Sequence, residues 1–281
     1  MDFKKFQTII SNSKKNKDSV NEKLKEFYNE ANMENKDDLL NIMQIARAVI
    51  NKKGYLLAEI PFKDNEIGAI CFSGDGSKYV LLNSTLPRVN VNFSLCHEIY
   101  HILYQCHPFE ESVELYMNEN YYDHEEEIMA NHFAAALMMP ELKFIKMFYK
   151  FEQEAEEDKF ELQTIVNLMN YFSAPYMAVL IRCYELELLK DGNSLKMLLS
   201  ITSEQIRDQF DKLWLNMELL KGSKNDDFEK LLVLVNKKGE YLISRELMGK
   251  TELEKIENNL RKLYQEIRGQ SNGKNICGNP L

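Results

Sequence analysis

The residues of this chain whose types and spacing could do chemistry are concentrated in one stretch, Cys96-His97-Glu98-Ile99-Tyr100-His101. On a helix, His97 and His101 stand on one face about one turn apart, so both can reach a single ion. Zinc accepts imidazole nitrogen and, in a catalytic site, keeps one position for water beside three protein ligands. Glu98 would face that water. The metal lowers the water's pKa towards about 7, so a carboxylate can take its proton at neutral pH and later pass it to a leaving amine. The chemistry is hydrolysis of a peptide bond, with Glu98 as general base. The bland alternative is an accidental His-Glu-x-x-His, which chance delivers roughly once in a hundred chains of this composition. A second fact weighs more: all five histidines (His97, His101, His107, His124, His132) fall within 36 consecutive residues.

A third ligand is expected from the following helix, and Glu127 is the best candidate. It shares a helical face with Asn131 at i+4 and His124 at i−3. Asn131 is then placed to accept a hydrogen bond from the non-ligating nitrogen of a ligand histidine, fixing its tautomer. Glu125 and Glu126 point elsewhere and read as acidic charge at a helix N-terminus. His124 and His132 could line a cleft, although a partly exposed helix histidine is the commoner reading. His107, just before Pro108, reads as a loop residue. Tyr104, Tyr121 and Tyr122 could donate to a tetrahedral oxyanion, a weak reading in a chain with 14 tyrosines.

The elements that must carry these residues are legible from periodicity. Val91, Leu95, Ile99, Ile102 and Leu103 predict a helix over 89–105 that buries one face. A second helix over 123–139 begins with acidic residues suited to the helix dipole and ends at Pro140, which cannot easily continue it. Upstream, 39–51 is helical, and short runs at 55–60, 68–72 and 79–83, separated by turn-rich segments, predict a small antiparallel sheet. The first forty residues are polar, with a solvated amphipathic helix over 19–31 expected to be peripheral. Beyond Pro140, helices are expected over 142–151, 162–172 and 175–189, with an acidic solvated run at 152–158. A helix over 203–220 carries Trp214 as a core or interface residue. The runs 231–235 and 240–244 around Asn236-Lys237-Lys238-Gly239 predict a hairpin. A last helix over 252–267 precedes a tail expected to lack order.

Composition narrows the function classes. Hydrophobic residues make up 44% and charged residues 28%, as in an ordinary folded chain. The N-terminus has no apolar run of signal-peptide length and the chain has no apolar stretch of membrane-spanning length. Five scattered cysteines without a C-x-x-C pair argue for reduced thiols in the cytoplasm and against a disulfide framework or a Cys-zinc site. A net charge of −9 disfavours a broad nucleic-acid surface.

Several pieces in order resemble one family, the ImmA/IrrE-type metallopeptidases: YVLLN, then NFSLCHEIYHILY, then EIMANHFAAALMMP, which is similar to that family's Glu-x-x-Ala-Asn-x-Phe-Ala helix. By the resemblance Glu127, Ala130, Asn131, Phe133, Ala134, Leu137, Met139 and Pro140 occupy family positions, and Glu127 is the third zinc ligand. The segment NYFSAPYMAVLIRCYEL is similar to a family helix pair after the catalytic core. Two positions depart from the pattern. Tyr100 stands where the family usually has Gly, which puts bulk beside the ligand helix, and Cys96 stands where it usually has Ala.

The resemblance implies a mainly helical, zincin-like α+β fold with a small antiparallel sheet. It covers about 39–190, giving a polar N-terminal helical segment at 1–38, a metallopeptidase domain at 39–190 and a mostly helical region at 191–281. It further implies Zn2+ as cofactor, and limited cleavage of a DNA-binding repressor, often of the helix-turn-helix type, as the activity. The competing reading is a non-catalytic regulator with a structural or vestigial metal, its helices over 162–189 binding DNA or a repressor. The acidic second helix of that pair disfavours phosphate contacts.

Overall fold

A computed structural model describes residues 3–32, 42–74, 77–104, 124–156, 160–190 and 192–269. The chain is mainly helical. Helix α1 (Phe3–Glu30) and α2 (Ile42–Lys52) precede three strands, β1 (Leu56–Ile60), β2 (Ala69–Gly74) and β3 (Ser77–Asn83). Eight further helices follow in the order α3 (Arg88–Tyr104), α4 (His124–Met138), α5 (Glu141–Glu154), α6 (Phe160–Phe172), α7 (Tyr176–Glu185), α8 (Gly192–Leu199), α9 (Ser203–Lys212) and α10 (Phe228–Ser244). Helix α11 (Lys250–Arg268) comes last.

The sheet has the order β1-β3-β2 and is mixed, not purely antiparallel as expected. β2 and β3 form an antiparallel hairpin, while β1 pairs in parallel with β3 from Leu56 opposite Tyr79 to Ile60 opposite Asn83. The parallel pairing arises because residues 61–68 carry the chain past β3 to its far side before it turns back. Asn83 holds that crossover. Its side chain is fully buried; Oδ1 accepts from the Phe62 and Thr85 amides, and Nδ2 donates to the Asp64 and Ile67 carbonyls. Such a group tolerates burial because every polar atom is paired. Gly68 lies against α3, where a Cβ would overlap the Ser94 hydroxyl, so the crossover can press onto the metal-motif helix only without a side chain.

Helix α3 buries Val91, Leu95, Cys96 and Ile99. Against it runs α4, whose Ala130 and Ala134 are fully buried and small enough to allow a close crossing, with Phe133 and Leu137 filling the core on the same helix. Helix α1 is longer than the sequence periodicity suggested and is not peripheral. Phe6, Val20, Leu24, Phe27 and Tyr28 are buried in the main core, with Phe6 edge-on to Tyr184 and Phe27 to Phe133. Its apolar residues are widely spaced along a polar surface, which hid the buried face from a short window.

Helices α6 and α7 meet at 110°. Ser173 takes a left-handed φ of 52° between them, and the Ala174 amide returns to the Met169 carbonyl, closing α6. Among the described residues no single helix is long and apolar enough to cross a membrane. Helix α7 buries Tyr176, Ala178, Val179, Leu180, Arg182 and Cys183.

The region beyond residue 190 continues the same core through Leu195, Leu198, Phe210 and Leu219. Three features differ from expectation. Helix α8 had no clear signal. The helix expected over 203–220 stops at Lys212: Trp214 adopts φ 54°, the Leu215 amide bonds to the Phe210 carbonyl, and the Trp214 side chain is 95% exposed, so it is not a core residue. The expected hairpin is one continuous helix, α10. Gly239, read as its turn, is buried against Leu253 of α11, where a Cβ would overlap the leucine methyls. The predicted tail from 270 onwards lies outside the described residues.

Candidate metal centre

The α3 pitch puts the His97 and His101 side chains side by side, with Nε2 atoms 3.0 Å apart. From α4, Glu127 brings its two carboxylate oxygens to 3.2 Å from His97 Nε2 and 3.4 Å from His101 Nε2. These three residues form a group whose ligand atoms converge closely enough to hold one ion. The separations also suit the chemistry of a small divalent ion. Ligands at about 2.0 to 2.1 Å from zinc in tetrahedral geometry stand about 3.3 Å from one another. Two imidazole lone pairs and a carboxylate facing one point repel unless a cation or protons lie between them, so this donor set fits a metal.

Asn131, one turn beyond Glu127, places Oδ1 3.1 Å from His97 Nδ1. His101 Nδ1 is buried and has no hydrogen-bond partner among the described residues. Glu98 is 9% exposed. Burial raises its pKa above the ordinary carboxylate value, opposed by His97 and His101 and reinforced by Glu127. Burial also opposes ionisation of Glu127, yet hydrogen bonds from His101 and His97 hold its carboxyl well below the usual range. For His97 burial disfavours the charge, and Glu127, Glu98 and Asn131 together more than compensate, raising the pKa.

Tyr104 and His132 do not join this group. Tyr104 donates its hydroxyl to the Lys23 carbonyl of α1 at 2.5 Å, which engages it away from an oxyanion role. His132 is buried; its pKa is lowered by desolvation, with Glu185 opposing and Arg182 adding to the shift, the two residues forming an ion pair on α7 at 3.0 Å. His124 is the first residue of α4. His107, Tyr121 and Tyr122 lie outside the described residues. Cys96 is a fully buried thiol whose pKa burial pushes up, a packing group rather than a reactive one.

Sequence reasoning missed the surroundings of the site: the contribution of α1 and the carboxylate network behind the sheet. Glu59 on β1 accepts from Arg47, Ser223 and Asn225, each at 2.8 Å, and the Asp227 amide bonds to the Glu59 carbonyl. The Arg88 amide at the start of α3 bonds to the Lys221 carbonyl. The C-terminal region thereby braces the sheet and the metal-motif helix from behind. No motif marks these residues, because apart from Arg47 and Glu59 the partners meet across more than 100 positions of chain.

A family model, Peptidase M78, described as the IrrE N-terminal-like domain, matches residues 50–184. No curated protein and no solved structure matches the chain significantly. The matched segment contains β1 to β3, α3, α4 and the whole donor set; α1 and α8 to α11 lie outside it.

Proposed function

Because residues 50–184 match the IrrE N-terminal-like domain of a peptidase family, we propose that the protein is a zinc-dependent endopeptidase. In this reading His97, His101 and Glu127 hold the ion and Glu98 is the general base. The observation that carries it is the convergence of two Nε2 atoms and one carboxylate from two helices, with a buried carboxyl adjacent to the first histidine in sequence.

Zinc in this seat supplies a Lewis acid that polarises the scissile carbonyl and acidifies water. The chain's own residues do the rest. Glu98 takes the proton of the attacking water and returns it to the departing amine; burial raises its pKa above the ordinary carboxylate value. Glu127 stays ionised beside the histidines and contributes negative charge to the ion's seat. Asn131 accepts from His97 Nδ1–H and so leaves Nε2 as the nitrogen that would face the ion.

The substrate we infer is a helix-turn-helix repressor, cut at few bonds in the cytoplasm. Its support is the family resemblance, together with buried thiols at Cys96 and Cys183, as suits a reducing compartment. The test is metal analysis of the purified protein followed by incubation with a candidate repressor from the same genome and mass spectrometry of the fragments. One zinc per chain and discrete fragments that vanish in Glu98→Gln are expected. A metal-free chain, or undiminished cleavage by the variant, overturns the proposal.

A further inference from the structure

Two elements meet in space beside the donor set: Tyr100, which lies between the two histidines in sequence, and α1, which lies outside the matched segment. Lys23 of α1 places Nζ 4.4 Å from the centroid of the Tyr104 ring and 5.3 Å from that of Tyr100, and its carbonyl accepts the Tyr104 hydroxyl. Tyr100 is 6% exposed. Its ring meets Tyr104 at 5.6 Å and Phe133 of α4 at 5.9 Å, and it stands edge-on to His101 at 5.7 Å with an interplanar angle of 89°. A continuous series of contacts therefore runs from α1 through Tyr100 to a metal-ligand candidate, and sideways to the helix that carries Glu127.

The two histidines are held by different means. His97 is oriented by a hydrogen bond to Asn131, whereas His101 Nδ1 has no such partner among the described residues. Among the described residues, Tyr100 packs edge-on against this second imidazole. Edge-to-face contacts between rings have a preferred geometry, and a cation over a ring adds attraction, so a flat ring constrains its neighbour in a way that an aliphatic side chain of similar bulk does not.

We propose that Tyr100 is the positioning residue of His101, and that α1, through Lys23, holds Tyr100 in place, so that the metal affinity of the centre depends on the N-terminal helix. This rests on the reading of His97, His101 and Glu127 as a metal centre. It makes α1 part of the metal seat, although it supplies no ligand.

The experiment is a zinc competition titration of the full chain against a chromophoric chelator, paired with absorption spectra of the cobalt-substituted protein. Tyr100→Leu keeps bulk but removes the flat ring; zinc affinity should fall by about tenfold, the lower end of what loss of an orienting partner does, and the cobalt spectrum should shift. Tyr100→Phe should stay within about twofold of wild type, because the ring contacts remain. Lys23→Ala should weaken affinity in the same direction by about two- to fivefold. A folded Tyr100→Leu variant with wild-type affinity and spectrum overturns the proposal. If that variant does not fold by circular dichroism, wild-type affinity in Lys23→Ala does so instead. Wild-type protein that binds neither zinc nor cobalt overturns the metal-centre reading itself, a result distinguishable from a defect confined to the variants.

Discussion

The Asn131 amide oxygen lies 3.1 Å from His97 Nδ1, and an amide oxygen can only accept. Paired this way, the imidazole carries a proton on Nδ1 and turns Nε2 towards His101 and Glu127, where its lone pair would take an ion. A residue one turn beyond the carboxylate thus decides the tautomer of a histidine on another helix. Asn131→Ala should lower zinc affinity by about 10- to 100-fold while the far-ultraviolet spectrum stays unchanged; Asn131→Asp, which keeps an acceptor, should recover most of it. Equal affinities in wild type and Asn131→Ala would remove the residue from the site.

Glu98 is near the donor set but is not one of the three converging groups. Glu98→Gln should keep one bound metal per chain and lose about a hundredfold to ten-thousandfold in peptide hydrolysis, the usual contribution of a general base. Metal content and cleavage rate measured on the same preparation check this. Loss of metal together with activity would instead make Glu98 a ligand.

Asn83 ties the crossover between β1 and β2 to the turn before α3. Removing its side chain leaves the buried Phe62 amide without a partner, together with the carbonyls it served. Asn83→Ala should cost about 3 kcal/mol, since several buried polar groups are left unpaired at once. Urea unfolding measures it, and a loss below about 1 kcal/mol would show that solvent or rearrangement replaces the network.

His132 gives stability a pH dependence. Desolvation lowers its folded pKa, Arg182 acting in the same sense and Glu185 against, so the unfolded ring binds protons more readily than the folded one. The neutral ring's contribution is complete above the unfolded value of 6.5 and is lost as pH falls through the folded value. The stability difference between wild type and His132→Gln should therefore shift against the wild type between about pH 8 and pH 5. A difference independent of pH would mean that His132 does not titrate there.

Local periodicity carried much of the fold. Helices α3 and α4 are legible because their apolar residues repeat at helical spacing and a proline follows the second. The pairing of β1 was not, because parallel and antiparallel partners have the same alternation and only the path of residues 61–68 decides between them. Gly239 shows the same limit in reverse. A glycine between apolar runs reads as a turn, yet here it is where Leu253 of another helix comes closest.

At the site, the sequence by itself determined the relations that helix pitch imposes: His97 and His101 on one face, and Glu127 and Asn131 on one face of a second helix. Only the tertiary structure decided how those two faces meet, that Tyr104 is engaged by Lys23, and that Tyr100 joins α1 to His101. The physical reason is range. Pitch relates residues three and four apart, whereas the seat of the second histidine depends on a contact between residues 23 and 100, whose meeting is set by the packing of the core.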